Sequence, residues 1–385
     1  MKSYETIRKH FLTYPDLPEI FASESHAEID PQAAFESIFQ GIGAETCTDP
    51  ELVVKFGFDG AKTNREIKFK SDNIDDKKFF LIATVPMFLK SAGDIIWKNP
   101  NPNSTHSCKP LEFYFANESD NFSHRIFLKY TKYQNVHNAS PSRKFKLTIL
   151  FTMMDQKAIN SCCLATLNKN SYTKRCYICM KDSIGKNSFN IEGANSSENI
   201  KNLEFGLSSL HFLLNSTKFL IDNLAKKNRN DIRSEILAEY KIDLFDVRHG
   251  FGTQITGNVA RRMLKDKEKF AKMLGIEKTI VELFSEIIEN ISSKSLTNTQ
   301  IFTKNCIELK KLLNRETPTI HKILSHGTDI IDFFQQKYNI GIGAFSEEPM
   351  EGLIRKFRRI RSNHARTNSR KNNNLDTLQK MWLYD

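Results

Sequence analysis

Three acidic residues, each in a distinctive local context, are the best placed in this chain to do chemistry: Asp59 in VVKFGFDGAK, Asp155 in LTILFTMMDQK and Glu351 in GAFSEEPMEGLIRKFRRIR. Each aspartate closes an apolar, β-branched or aromatic run that predicts a buried strand, and the glutamate opens a basic helix. Neighbouring strand ends can hold two carboxylates rigidly, and a distant helix can deliver a third to the same two divalent cations, as two-metal phosphoryl transfer requires. A second constellation pairs Cys176-x-x-Cys179 in KRCYICMKD with His321-x4-His326 in TIHKILSH. Both spacings suit zinc, but 141 residues separate Cys179 from His321, so tertiary folding must assemble such a site. Two Cys and two His saturate a tetrahedral Zn²⁺ and leave no position for water, which predicts a structural ion. Cys162 and Cys163 are competing thiols, and helix-face histidines unrelated to any metal are the plainer alternative.

Each carboxylate also has a plainer reading. Asp59 followed by Gly60 is a common turn pair. By the period of two, Leu52, Val54, Phe56 and Phe58 share one strand face and Val53, Lys55, Gly57 and Asp59 the other. The run before Asp155 is almost continuously apolar, as in a central strand covered on both sides, so this aspartate emerges at the exposed end of a buried element. On the Glu351 helix, Arg355, Arg358 and Arg359 share the side of the glutamate, while Leu353, Phe357 and Ile360 form the core stripe. One face would then present a metal ligand beside three phosphate-binding guanidinium groups. An amphipathic surface helix with an acid in its first turn is the alternative.

The elements that must position these residues follow in order. Residues 1–48 read as an N-terminal helical segment with AAFESIFQGIG its best amphipathic piece. Strands are expected in ELVVKFGF, KKFFLIATVPMF, LEFYFAN, HRIFLKYTKY and KFKLTILFTMM, a succession that implies a mixed or antiparallel sheet. Beyond Asp155 the pattern turns helical, with AINSCCLATLNKN, an Asn/Ser-rich loop GKNSFNIEGANSSEN, and long helices in LSSLHFLLNSTKFLIDNLAKK, VARRMLKDKEKFAKML and KTIVELFSEIIENI.

A chain of 385 residues has room for two or three domains. Lys and Arg outnumber Asp and Glu by 56 to 45, a net charge of +11 that favours a polyanionic partner such as nucleic acid, or simply a solvated basic surface. Seven cysteines, a polar start MKSYETIRKH and the lack of an apolar run near the roughly 18 residues of a membrane span predict an intracellular, soluble protein without a disulfide framework. Neither a P-loop nor an HExxH motif is present, so ATP-driven and zinc-hydrolase chemistry have no support.

From FGFDGA to MWLY, over roughly 330 residues, the chain resembles the catalytic core of Transib transposases and of their domesticated relative, the large subunit of the V(D)J recombinase. The likeness is densest in IHKILSHGTDIIDFFQQKYNIGIGAFSEEPMEGLIRKFRRIRSNHAR, with further matches in CYIC, SLHFLLN, GNVARRML and WKNPNPNSTHSCKP. The resemblance implies an α/β fold, a ribonuclease-H-like mixed sheet with a large, mainly helical zinc-binding insertion. In that layout residues 49–165 carry the first two carboxylates, 166–335 the insertion, and 336–385 the C-terminal helices with the third. It makes Asp59, Asp155 and Glu351 the catalytic triad holding two Mg²⁺ or Mn²⁺ ions, with Glu351 preferred over Glu347 and Glu348 by its distance to FRRIR. Cys176, Cys179, His321 and His326 become ligands of one structural Zn²⁺. His211 corresponds to a histidine near the scissile phosphate, though it could equally be a core histidine, and Asn258, Arg261 and Arg262 match a DNA-handling stretch.

The implied activity is metal-dependent nicking of double-stranded DNA at transposon ends, hairpin formation by strand transfer and joining to target DNA, in the nucleus, with a homodimer as the aligning unit. Only 58 residues precede Asp59, where active relatives carry dimerisation and end-binding modules, and the chain stops soon after MWLY. The alternative expectation is therefore a truncated or domesticated derivative that binds DNA or a partner without cleavage.

Overall fold

The computed structural model describes residues 18–42, 47–63, 76–134, 136–140, 143–163, 176–179, 201–243, 255–313 and 316–383. The chain divides into two compact units, one made of 1–154 together with 347–385 and the other of 155–346.

The first unit is built on one mixed sheet. Its strands are β1 (Ile20–Ala22), β2 (His26–Ile29), β3 (Glu51–Lys62), β4 (Lys78–Ser91), β5 (Asp94–Lys98), β6 (Lys109–Tyr114), β7 (Val136–Ser140) and β8 (Arg143–Leu150). They lie in the order β1-β2-β6-β4-β3-β8-β7, with β5 also paired to β4. β3 is antiparallel to β4 from Glu51↔Lys90 to Lys62↔Lys78 and parallel to β8 from Glu51↔Lys146 to Lys55↔Leu150. The antiparallel run β1-β2-β6-β4-β3, continued by the parallel strand β8, is consistent with a ribonuclease-H-like core. β3 has neighbours on both edges and Leu52 to Phe58 are all buried, so it is a central strand covered on both faces.

Helices cover the two faces. Helix α1 (Pro31–Gly41) follows β2, and α2 (Asp120–Thr131) packs Tyr130 on Phe56 with ring centroids 4.4 Å apart and Phe122 on Phe80 at 4.9 Å. The opposite face receives Phe357, stacked on Phe79 at 4.2 Å and edge-on to Phe113 at 4.9 Å. Each buried phenylalanine contributes about 2–3 kcal/mol by burial, and each ring pair about 1 kcal/mol more.

The second unit is helical. It comprises α3 (Gln156–Cys163), α4 (Ser209–Phe219), α5 (Arg229–Tyr240), α6 (Gly257–Lys265), α7 (Lys267–Leu274), α8 (Lys278–Ser292), α9 (Thr299–Leu312) and α10 (Pro318–Tyr338). Thr317 caps α10, accepting from Ile320 N, and Pro318 occupies the first turn, where its missing N–H costs nothing. After α10 a short 3₁₀ turn, Ile342–Phe345, passes so close to the end of α8 that a Cβ on Gly343 would lie 2.2 Å from the Ser292 carbonyl oxygen. The chain then returns to the first unit as α11 (Glu348–Asn363) and α12 (Arg370–Leu383).

Four expectations are corrected. HRIFLKYTKY is not a strand but most of α2: Ser119 caps it by accepting from Phe122 N, and Ser123, Ile126 and Tyr130 are buried at helical spacing. The alternation Ile126, Leu128, Tyr130 mimicked a strand, yet Leu128 is 48% exposed. VARRMLKDKEKFAKML is two helices, because Asp266 ends α6 and caps α7 through Lys269 N. The strand before Asp155 stops at Leu150; Thr152 N turns back to Leu150 O, and Met153 N donates to Phe56 O. The N-terminal segment, expected to be helical, contains strands β1 and β2 ahead of the expected helix at AAFESIFQGIG. The Asn/Ser-rich loop expected in GKNSFNIEGANSSEN lies outside the described residues.

Candidate metal centres

Asp59 lies within β3, opposite Leu81, and the strand continues through Gly60 to Lys62, so the Asp-Gly pair is not a turn. Asp59 and Leu81 share the face that carries Phe79 and Phe113, which is the face α11 covers. Asp59 is half-buried there. Two residues earlier, a Cβ on Gly57 would fall 1.9 Å from Met153 O, so only glycine lets the chain beyond β8 lie this close to β3.

Glu351 sits half-buried in the first turn of α11. Arg358, seven residues on, falls within about 20° of it around the helix and about 10 Å along the axis. Arg358 Nε donates to Lys62 O at 2.8 Å. Burial pulls its pKa down from the usual value, and the negative charge of Asp59 pushes back. The stripe of α11 that carries Glu351 therefore meets β3 at the end that carries Asp59. Glu347 is buried at the cap of this helix and Glu348 half-buried in its first turn.

The arginines of α11 divide in a way the helical wheel did not predict. Arg355 and Arg359 are exposed, whereas Arg358 is tied to β3. Arg361, outside the expected set, is buried: its Nη2 is 2.5 Å from Asp76 Oδ2 and its guanidinium lies 4.6 Å from the Phe115 ring centroid. Arg370 of α12 reaches the same Asp76 oxygen at 3.0 Å. No spacing signal marked Asp76, because its partners lie nearly 300 residues away.

Asp155 belongs to the second unit. Its Oδ1 accepts from Ala158 N at 2.7 Å, which makes it the cap of α3 and engages one of its two carboxylate oxygens. His211 is half-buried on α4 between the buried Leu210 and Phe212. Asn258, Arg261 and Arg262 are exposed on α6, with Arg262 Nη2 donating to Tyr240 O at 2.8 Å.

The structure brings Cys176, Cys179, His321 and His326 together, with one ligand atom from each lying within 4.8 Å of the others. Cys162 and Cys163 are not in this group; burial pushes the Cys163 thiol up to about 12. The tight CYIC turn supplies both sulfurs, and the N-terminal half of α10 supplies both imidazoles. Their rings are 5.3 Å apart and nearly perpendicular. Cys179 Sγ is 3.4 Å from His321 Nε2, matching the roughly 3.3–3.8 Å edges of a tetrahedral zinc site. His326 Nε2 is buried without a hydrogen-bond partner, an expensive state that a metal bond would relieve. The group could hold a metal such as zinc. Burial acts to lower the His321 pKa, but hydrogen bonds to Cys179 and Glu316 outweigh it and the net direction is up. Beside the cluster, Lys322 is 2% exposed and donates to the Tyr177 hydroxyl at 3.3 Å.

No protein-family model and no curated protein matches the chain. Among solved structures it is similar to a Drosophila P element transposase strand transfer complex at 10% identity and a TM-score of 0.36, covering 100% of this chain and 86% of that one. A likeness of that size decides neither fold nor function. Among the described residues, no helix is long and apolar enough to cross a membrane.

Proposed function

We propose that this protein is a DNA-cleaving and DNA-joining enzyme of the DDE type, of the kind represented by Transib transposases and the large subunit of the V(D)J recombinase. Asp59, Asp155 and Glu351 are its metal-holding carboxylates. The observation that carries this reading is the position of Asp59 on the sheet face covered by α11, whose Glu351 stripe also carries the arginine that feels the Asp59 charge. Half-exposed carboxylates are the hard oxygen donors that Mg²⁺ or Mn²⁺ takes. Two such cations would polarise the scissile phosphate and lower the pKa of an attacking water or 3′-hydroxyl.

The protein's own groups do the rest. Arg355 and Arg359, exposed on the helix of Glu351, suit phosphate contacts, and Arg358 holds α11 against β3. His211, Asn258, Arg261 and Arg262 act on DNA from the second unit. The net charge of +11 draws double-stranded DNA, the substrate, toward the chain. In this reading a structural zinc on Cys176, Cys179, His321 and His326 braces the helical insertion, a homodimer aligns two DNA ends, and the work is done in the nucleus.

The test is nicking of DNA carrying the ends that flank the protein's own locus, with Mg²⁺ or Mn²⁺. Asp59→Ala, Asp155→Ala and Glu351→Ala should each reduce nicking to background while DNA affinity, carried by Lys and Arg, persists. A Glu351→Ala protein that cuts normally, beside a dead Glu347→Ala or Glu348→Ala, would reassign the third carboxylate. Normal cutting by all of them would end the reading.

A further inference from the structure

The geometry points to Glu316 as the residue that orients His321 for metal binding, an inference that rests on the metal reading of the Cys176, Cys179, His321 and His326 group. An imidazole that gives one nitrogen to a metal must carry its proton on the other, and whatever accepts that proton sets both tautomer and ring angle. For His321 the two nitrogens have distinct surroundings. Nε2 faces Cys179 Sγ at 3.4 Å, whereas Nδ1 lies 3.3 Å from Glu316 Oε2 and 3.2 Å from Ser325 Oγ.

Glu316 is not a surface carboxylate that happens to lie nearby. Its side chain is 7% exposed and that of His321 is 2% exposed, so the contact is shielded from the water that weakens surface pairs. Burying a carboxylate is costly unless its charge is used, and donation from Nδ1–H to Glu316 uses it. Backbone position favours the same arrangement. Glu316 comes just before the Thr317 cap and Pro318, and the first turn of α10 carries His321 back over it. Ser325, one turn beyond His321, adds a hydroxyl to the same nitrogen. With Nδ1–H held on the acid, the Nε2 lone pair is fixed toward the sulfurs and made more basic. Glu316 touches no ligand sulfur or metal in this scheme and acts only through His321; it is a positioning residue.

The experiment compares the full-length protein with Glu316→Gln, which keeps size and removes charge, and Glu316→Asp, which keeps charge and shortens reach. Zinc affinity and release rate are read with a chromophoric chelator, and Co²⁺ is substituted to read the ligand-field bands of the site. Glu316→Gln should still take one zinc per chain at saturation but hold it about 10–100-fold more weakly, with altered cobalt bands from a reoriented imidazole. Glu316→Asp should recover part of the loss; should Glu316→Gln not fold, the shortened reach of Glu316→Asp should by itself weaken zinc binding and shift the cobalt bands relative to the parent protein, and no change there would equally overturn the assignment. Unchanged affinity, release rate and cobalt spectrum in the charge-removing variant would overturn the assignment of Glu316 alone. A parent protein that takes up neither zinc nor cobalt would instead overturn the metal reading beneath it.

Discussion

At the scale of single residues, burial and partners separate side chains that look equivalent in sequence. FRRIR presents three arginines in four positions, yet Arg359 is exposed, Arg358 is bonded to Lys62 O and Arg361 is buried on Asp76. The same logic gives a pH prediction at Asp376. Arg366 contacts it through Nε at 2.9 Å and Nη2 at 2.7 Å, and its backbone N–H at 3.0 Å. Burial acts to raise the Asp376 pKa, but these bonds outweigh it and hold the carboxyl below its ordinary value. A depressed folded pKa contributes stability above the unfolded value of about 3.9 and loses it as pH falls through the folded value. Because Arg366 is half exposed, the contribution is about 1 kcal/mol. Asp376→Asn should therefore cost about 1 kcal/mol at pH 7 in urea denaturation, a difference that fades below about pH 4. An equal cost at pH 7 and pH 3 would contradict the ion-pair account.

At the scale of elements, α2 is the clearest case of a period misread from sequence. Apolar residues at 126, 128 and 130 fit a strand, and Phe122, Ile126, Phe127 and Tyr130 fit a helix; a short run cannot separate the two. The cap at Ser119 and the exposure of Leu128 decide for the helix. Leu128→Glu should change stability by no more than about 0.5 kcal/mol, whereas Ile126→Glu, placing a carboxylate at a site only 2% exposed, should cost more than about 3 kcal/mol. Comparable costs for the two variants would restore the strand.

At the scale of the whole molecule, the two units draw stability from different sources. The first rests on aromatic packing across both faces of its sheet, and the second adds to its helical core a four-ligand cluster tying the 176–179 turn to α10. Structural zinc contributes directly to folding free energy. Chelation should then raise amide exchange in the first turns of α10 by at least tenfold while leaving β3 and β4 protected. Uniform loss of protection in both units, or no change in α10, would argue against a stabilising metal there.

The ligand spacings, the central strand, the Asp59 face and the amphipathic α11 were legible in the sequence, because each depends on a local period or on residue types a few positions apart. Cys176-x-x-Cys179 and His321-x4-His326 could be singled out as pairs, but only the fold brings them together across 141 residues. Partners distant in sequence left no local trace at all. The Asp76 link to Arg361 and Arg370, the tie from Arg358 to β3 and the shielding of Glu316 beside His321 are decided by packing, which alone sets which charges lose their water and must find one another.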